Sequence, residues 1–295
     1  VRFGTIPNKT LRETVAVLRG LPRKTAGVFT TGASRDLELA ALTRRPGEVV
    51  DAHERAMRAE REGAGVAIVQ GRTRLLGRAE PETQPVRGER KRVRVRRAIV
   101  TATGSRLRTP DNVPVDHESV LDSDSILSLT YLPESLVVLG GGVIASEYAS
   151  VFAALGVHVA MFDKGARLLA FLEPELTRCF ERALQGMGGS FVPGAVVVEV
   201  EPTGLGAVRV TLADGGVLEA EKVLCALGRV ANVEALDLAA AGLGLSARGY
   251  VPVGPHGETS VPGIYAVGDV AGPPALATSA ADQWRRAVRH ALGLG

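Results

Sequence analysis

The chain has 295 residues, 45% hydrophobic and 23% charged, with 35 Gly and 16 Pro, which is room for about two domains of ordinary size. That composition excludes a disordered chain, a collagen-like repeat and a disulfide scaffold. The 35 basic and 32 acidic residues leave a net charge of +3, too small to imply a nucleic-acid partner.

No apolar run approaches the roughly 18 residues of a membrane helix, and the first residues lack a signal-peptide core. The expectation is a cytoplasmic protein with no membrane partner. Cys179 and Cys225 have no Cys or His at ligand spacing, so no metal is assigned and both thiols read as core side chains. His53, His117, His158, His256 and His290 are scattered along the chain without partners in the sequence and receive no role.

In chain order, residues 11–62 are loosely helical and polar, with a glycine-rich break at 27–34 and a helix expected at 47–61. Residues 66–70 read as a short strand. Residues 77–97 carry Pro81, Pro85 and seven basic residues from Arg87 to Arg97, ending in the alternation Arg92-Val93-Arg94-Val95-Arg96. Period two with charge on one face marks an edge or half-exposed strand, and the absence of interleaved aromatics argues against a single-strand nucleic-acid groove. An anion-binding surface is the alternative. Residues 98–106 are a buried strand closed by a glycine turn, and a Pro- and Asp-containing connection then leads to Pro133, a linker into a second domain.

That domain opens on the most informative segment. Residues 135–139, Ser-Leu-Val-Val-Leu, form an apolar strand, followed by Gly140-Gly141-Gly142-Val143-Ile144-Ala145, an amphipathic run at 146–155, a strand at 157–162, and Asp163 at its end. A GxGxxG-type turn alone is weak evidence. Here it follows a strand, opens a helix, and has an acid 23 positions after its first glycine. Gly140 allows the tight turn, Gly142 lets backbone approach a pyrophosphate on the helix N-terminus, and Ala145 is small enough for helix to pack on strand. Asp163 is placed to accept from an adenosine ribose 2′-OH and to repel a 2′-phosphate, which favours NAD(H) over NADP(H), with Lys164 and Arg167 softening that preference. The alternative is a helix-packing turn in some other α/β protein.

Further on, a helix is expected at 175–187, strands at 191–192, 196–201, 208–212, 217–220, 222–228 and 264–267, and a closing helix at 277–292. A parallel sheet with an antiparallel meander attached gives that order.

These segments resemble the flavoprotein pyridine-nucleotide:disulfide oxidoreductases, and within them the soluble FAD-containing pyridine nucleotide transhydrogenases. The stretches that carry the resemblance are Gly4-Thr5-Ile6-Pro7-Asn8-Lys9, Ala102-Thr103-Gly104-Ser105-Arg106, Asp122-Ser123-Asp124-Ser125-Ile126-Leu127, residues 142–150, residues 167–172, and Ile264-Tyr265-Ala266-Val267-Gly268-Asp269-Val270. They span nearly the whole chain in family order.

The resemblance implies an α/β fold of two nested Rossmann-like domains: an NAD(P)-binding domain at 132–248 inserted in an incomplete FAD-binding domain at 1–131 and 249–295. It implies FAD, NAD(H) and NADP(H) as cofactors. It places Lys9 and Glu147 as an ion pair beside the flavin and nicotinamide, Asp269 on the ribityl chain of FAD, and Gly104, Gly228 and Gly268 at the cofactor sites. The alternatives are an ordinary helix N-cap for Asp269, a surface charge for each of Lys9 and Glu147, and a plain strand-end turn for Gly228. The expected partners are nicotinamide dinucleotides. A homodimer is expected for full-length members, whose dimerisation domain and first glycine turn have no counterpart in this chain. In the disulfide reductases a cysteine precedes Ile-Pro; Thr5 stands there in this chain, and a threonine forms neither thiolate nor disulfide. The implied activity is hydride transfer from NADPH through FAD to NAD⁺. A catalytically inactive NAD(H)-binding fragment and an NADH oxidase or diaphorase are the alternatives.

Overall fold

In the computed structural model the described residues are 5–24, 39–78, 80–204 and 206–294. In chain order they form α1 (Thr5–Lys24), α2 (Leu39–Gly63), β1 (Gly71–Leu75), β2 (Pro81–Pro85), β3 (Lys91–Arg92), β4 (Ile99–Thr101), β5 (Ser105–Leu107) and β6 (Val120–Leu121). Next come β7 (Ser135–Leu139), α3 (Val143–Ala154), β8 (His158–Asp163), α4 (Pro174–Gln185), β9 (Ser190–Pro193), β10 (Val197–Pro202), β11 (Val208–Leu212) and β12 (Val217–Ala220). The chain continues through β13 (Lys222–Cys225), β14 (Arg229–Ala231), β15 (Ile264–Ala266) and α5 (Ala277–Ala291). The fold is mixed α/β, as expected.

The chain divides into two compact units, Val1–Gly65 with Leu107–Gly228 and Val66–Arg106 with Arg229–Gly295. These cuts differ from the boundaries read at 131 and 248, because α1 packs on α2 and α3 and so groups with the central sheet.

The first unit is built on a five-stranded sheet of order β6-β13-β7-β8-β9, with every described pairing parallel. Four of the five residues of β7 are buried, as a central strand covered on both faces requires. Parallel neighbours need a crossover, and α3 supplies it between β7 and β8, burying Tyr148, Val151 and Phe152 against Val138 and Met161. The antiparallel meander β10-β11-β12 packs Val200, Val208 and Val210 with Val137, Leu139 and Phe162.

Asp116 organises the entry to β6: its Oδ1 accepts the backbone N–H groups of Glu118, Ser119 and Val120, each at 2.8 Å. Partial burial raises its pKa, but the three N–H donors outweigh it and the net shift is downward. A depressed folded-state pKa means that this stabilisation is present above the unfolded value, roughly 3.9, and is lost as pH falls through the folded one. Acid unfolding of Asp116→Asn, followed by circular dichroism, should therefore depend less steeply on pH below about 4 than that of the parent.

The second unit holds the antiparallel sheet β1-β2-β3, the parallel pair β4 and β15, the pair β5 and β14, and α5. Two expectations from the sequence are corrected in this unit. Residues 66–70 are exposed and irregular, and the strand starts at Gly71; the Arg92–Arg96 alternation pairs only at Lys91–Arg92, beside the proline-bounded middle strand β2. The prolines sit at the two ends of β2, where a missing N–H is tolerated. Glu82 on β2 is buried and draws Arg74, Arg90 and Arg92 onto its carboxylate, with Arg74 the main cause of its lowered pKa.

Two further expectations change. The helix expected at 47–61 starts at Leu39 and runs through Pro46, and Cys179 is exposed while Cys225 is buried. The glycine-rich break at 27–34 lies outside the described residues. Among the described residues no helix is long and apolar enough to cross a membrane, and no group of three His, Cys, Asp or Glu could hold a metal ion.

Candidate functional site

The glycine turn lies between β7 and α3, beside β13. Gly140 has φ +123°, and a β-carbon there would stand 2.5 Å from the carbonyl oxygen of Ala226. The Gly140 N–H donates to Phe162 O and the Ala226 N–H to Leu139 O, so the turn is stitched to both neighbouring strands. A β-carbon on Gly142 would meet nothing within 4 Å. This is the open position at the helix N-cap, where φ and ψ are extended (−85°, −173°) and no side chain caps the first turn. The free N–H groups and the helix dipole make that end receptive to an anion. Ala145 is fully buried one turn in, against the site where a Gly140 β-carbon would be.

Asp163 closes the turn from the end of β8. Its Oδ2 accepts the Gly141 N–H at 2.8 Å and its Oδ1 the Gly165 N–H at 2.6 Å. The Gly141 carbonyl in turn accepts the N–H of Leu169, which sits at φ +47°, a strained value for a leucine. The sequence pattern points Asp163 at the ribose and gives no sign of this second task, bracing the turn. Arg167 spends its guanidinium on the carbonyl of Ala170, while Lys164 is exposed.

Lys9 and Glu147, 138 positions apart, do meet: α1 lies against α3, and Lys9 Nζ donates to Glu147 Oε1. The neighbouring Asn8 donates from Nδ2 to Glu147 Oε2, a partner that no sequence motif named. Tyr148, next on α3, donates its hydroxyl to Ser123 O, and burial with the nearby carboxylates of Asp124, Glu147 and Asp122 keeps it protonated far above neutral pH. Thr5 begins α1, and its side chain lies outside the described residues, as does Gly4.

The second unit holds Asp269 in the short helical turn after β15. The cap of that turn is Val267, so Asp269 is no N-cap; its Oδ2 accepts the Ser105 hydroxyl at 2.6 Å. Arg229 donates to Ser105 Oγ from Nε and to Ser105 O from Nη2, both at 2.7 Å, which fixes the relay. Gly104 and Gly268 have φ +70° and +73°, and Gly268 N–H donates to Gln283 Oε1. Gly228, in the first unit, turns at φ +103° and offers its carbonyl to Arg108 N–H. Ser105 and Arg229 carried no local signal of a shared role.

Three of the histidines do have partners. The His256 and His290 rings stack at 4.6 Å, His290 Nδ1 lies 2.9 Å from the Tyr265 hydroxyl, and both imidazoles help lower the pKa of Glu258 after its backbone hydrogen bonds. His117 Nδ1 lies 3.7 Å from Asp122 Oδ2.

Comparison with known proteins gives the family and the fold. The family model described as pyridine nucleotide-disulphide oxidoreductase matches residues 1–291. The chain is 38% identical over 296 residues to a soluble pyridine nucleotide transhydrogenase of Mycobacterium bovis, covering 99% of this chain and 62% of the relative. It is 44% identical over 187 residues to the protein of that name from Colwellia psychrerythraea, covering 63% of this chain and 40% of the relative. The crystal structure of LpdA from Mycobacterium tuberculosis superposes with a TM-score of 0.92 at 27% identity, over 100% of this chain and 64% of that one. The chain therefore spans about three fifths of the length of the relatives it matches end to end. A strand–glycine turn–helix with an acid bracing it, matched by a family model along 1–291, establishes that the chain belongs to the pyridine nucleotide-disulphide oxidoreductases.

Proposed function

We propose that this chain is the nucleotide-binding part of a flavoprotein that transfers hydride from NADPH through FAD to NAD⁺. The observation that carries the reading is the double use of α3. Its N-terminus opens from the glycine turn, and one turn further on Glu147 pairs with Lys9 of α1, so the dinucleotide cradle and the carboxylate that draws in a cation belong to one helix. The likeness to soluble transhydrogenases supports the choice of substrates.

The residues fit the groups the reading requires. Gly142 leaves room for a pyrophosphate, which the N–H groups of Val143, Ile144 and Ala145 would hold, and Gly140 and Ala145 keep helix and strand close. Asp163 would take the ribose hydroxyls with the lone pairs its two N–H donors leave. Asp269, held by Ser105, would take the flavin ribityl chain, with Gly104, Gly228 and Gly268 shaping backbone at the cofactor sites. The bound nicotinamide and flavin supply the hydride chemistry itself. The protein's part is placement, plus the Lys9 cation where negative charge grows. In this reading residues 132–248 serve the nicotinamide dinucleotide and residues 1–131 with 249–295 the flavin, in a cytoplasmic homodimer of the full-length protein.

With Thr5 where a disulfide reductase carries cysteine, dihydrolipoamide and glutathione disulfide should be poor substrates of the full-length flavoprotein, while NADPH reduces a thio-analogue of NAD⁺. Rapid disulfide reduction would overturn the reading. A second reading, NAD(H) binding without catalysis, is supported by the glycine turn, α3 and Asp163 lying together in one unit, a dinucleotide cradle in themselves. Purified protein without a flavin spectrum that still binds NADH would select it.

Asp163→Ala should raise affinity for NADPH relative to NADH, on the order of tenfold or about 1.4 kcal/mol, by removing charge from the ribose pocket. Fluorescence titration with both cofactors measures the ratio. Because Asp163 also braces Gly141, the same variant should lose stability, by about 1.5 to 3 kcal/mol per charged hydrogen bond forgone.

A further inference from the structure

We infer that Asn8 is a positioning residue: its amide pins one oxygen of Glu147 so that the other is held for Lys9. This rests on the reading above that Lys9 acts beside the flavin. Asn8 and Lys9 are consecutive on α1, and consecutive helical residues point about 100° apart. Both nevertheless reach the same carboxylate, one oxygen each, so Glu147 is clamped between two donors.

The two donors differ in solvation. The Lys9 side chain is 50% exposed, and such a half-solvated ion pair is free to come apart and re-form. Asn8 is 6% exposed and has no such freedom. Its orientation follows from chemistry: an ionised carboxylate only accepts, so Nδ2 must face Glu147. That choice leaves Asn8 Oδ1 buried with no partner among the described residues, and Ser146 Oγ, beside Glu147 on α3, is in the same condition. A buried unpaired acceptor is costly. A side chain whose function were packing alone could be apolar here; an amide with one end unsatisfied is explained by what its other end holds.

Among the described residues, Lys9 from α1 is the ion-pair partner of Glu147, and Tyr148, next on α3, feels Asp124, Glu147 and Asp122 together, with His117 beside Asp122. Lys9 is the cation in that set. Asn8→Asp would put a second carboxyl against Glu147, and two such groups at hydrogen-bond distance share one proton, with an apparent pKa for the pair above the ordinary carboxylate range. While the proton is present, an O–H replaces the lost N–H donor. Once it leaves, the two anions repel and Glu147 turns away from its position.

The test uses the full-length flavoprotein, with flavin reduction by NADPH followed by stopped flow across about pH 5 to 9. Asn8→Ala should slow reduction by about tenfold with little change in NADPH affinity, the usual cost of removing a group that orients a functional one. Asn8→Ser, which keeps a donor, should recover part of the loss. Asn8→Asp should match the parent at acid pH and fall by a similar factor as pH rises, with a midpoint the parent lacks. In parallel, the Glu147 side-chain carboxyl carbon is followed by ¹³C NMR in flavin-free protein, where Asn8→Asp should show a new titration step. Parent-like rates in all three variants, with an unchanged Glu147 signal, would overturn the role of Asn8. If Lys9→Met leaves flavin reduction untouched while Asn8→Asp still adds the NMR step, the clamp stands and the placement of Lys9 at the flavin falls.

Discussion

Alanine at Gly140 should cost this protein several kcal/mol of stability, while alanine at Gly142 should leave it folded. The contrast follows from the two sites. At Gly140 an added β-carbon would stand 2.5 Å from a backbone oxygen, that of Ala226, and the residue would also have to hold φ +123°. Strained backbone costs about 1 to 3 kcal/mol and overpacking about the same again, so a loss of about 3 to 5 kcal/mol is expected. The oxygen cannot step aside, because Ala226 is bonded through its own N–H to Leu139 at the end of β7. At Gly142 the backbone is extended and nothing lies within 4 Å of the new carbon, so urea unfolding should be near that of the parent. What Gly142→Ala should lose is NADH affinity, since its methyl fills the space the pyrophosphate needs. Equal stability in the two variants would mean that the turn is not the tight crossing seen here.

Lys9→Met should slow flavin reduction in the full-length flavoprotein by an amount corresponding to about 2 to 4 kcal/mol of transition-state stabilisation, the scale seen when one oriented electrostatic donor is removed. Methionine keeps the length and apolar stem of lysine and deletes the charge, so α1 can stay packed on α3. Glu147 would retain the Asn8 donor, and global stability should change little because the lysine is half exposed. Single-turnover reduction by NADPH measures the effect. An unchanged rate would remove Lys9 from the chemistry and leave the pair as a strut between helices.

Much of the first unit is legible in the amino-acid sequence. The β7 run, the three glycines, the α3 run and Asp163 announce strand, turn, helix and strand, and β11 and β12 begin and end at the residues expected. Each is a local pattern: a buried parallel strand is a continuous apolar run, a meander strand alternates, and a turn at positive φ calls for glycine. The errors are local as well. The strand expected in the Arg92–Arg96 alternation is mostly unpaired, whereas Pro81 and Pro85 bound a strand in which Glu82 is charge-matched across the sheet with Arg74 and Arg92. The helix expected at 47–61 instead starts at Leu39 and passes through Pro46.

The sequence by itself determined the backbone plan and the residue types at the candidate site, because hydrogen-bonded helices and strands repeat over a few residues and leave that period in the chain. Only the tertiary structure decided which side chains share a task. Asn8 and Lys9 reach Glu147 across 139 and 138 positions, and Ser105 reaches Asp269 across 164. His290 stacks on His256 and meets Tyr265, though nothing near any of the three announces it. Such contacts form where separate elements happen to face each other, and a polar side chain carries no local mark of the partner that burial will give it.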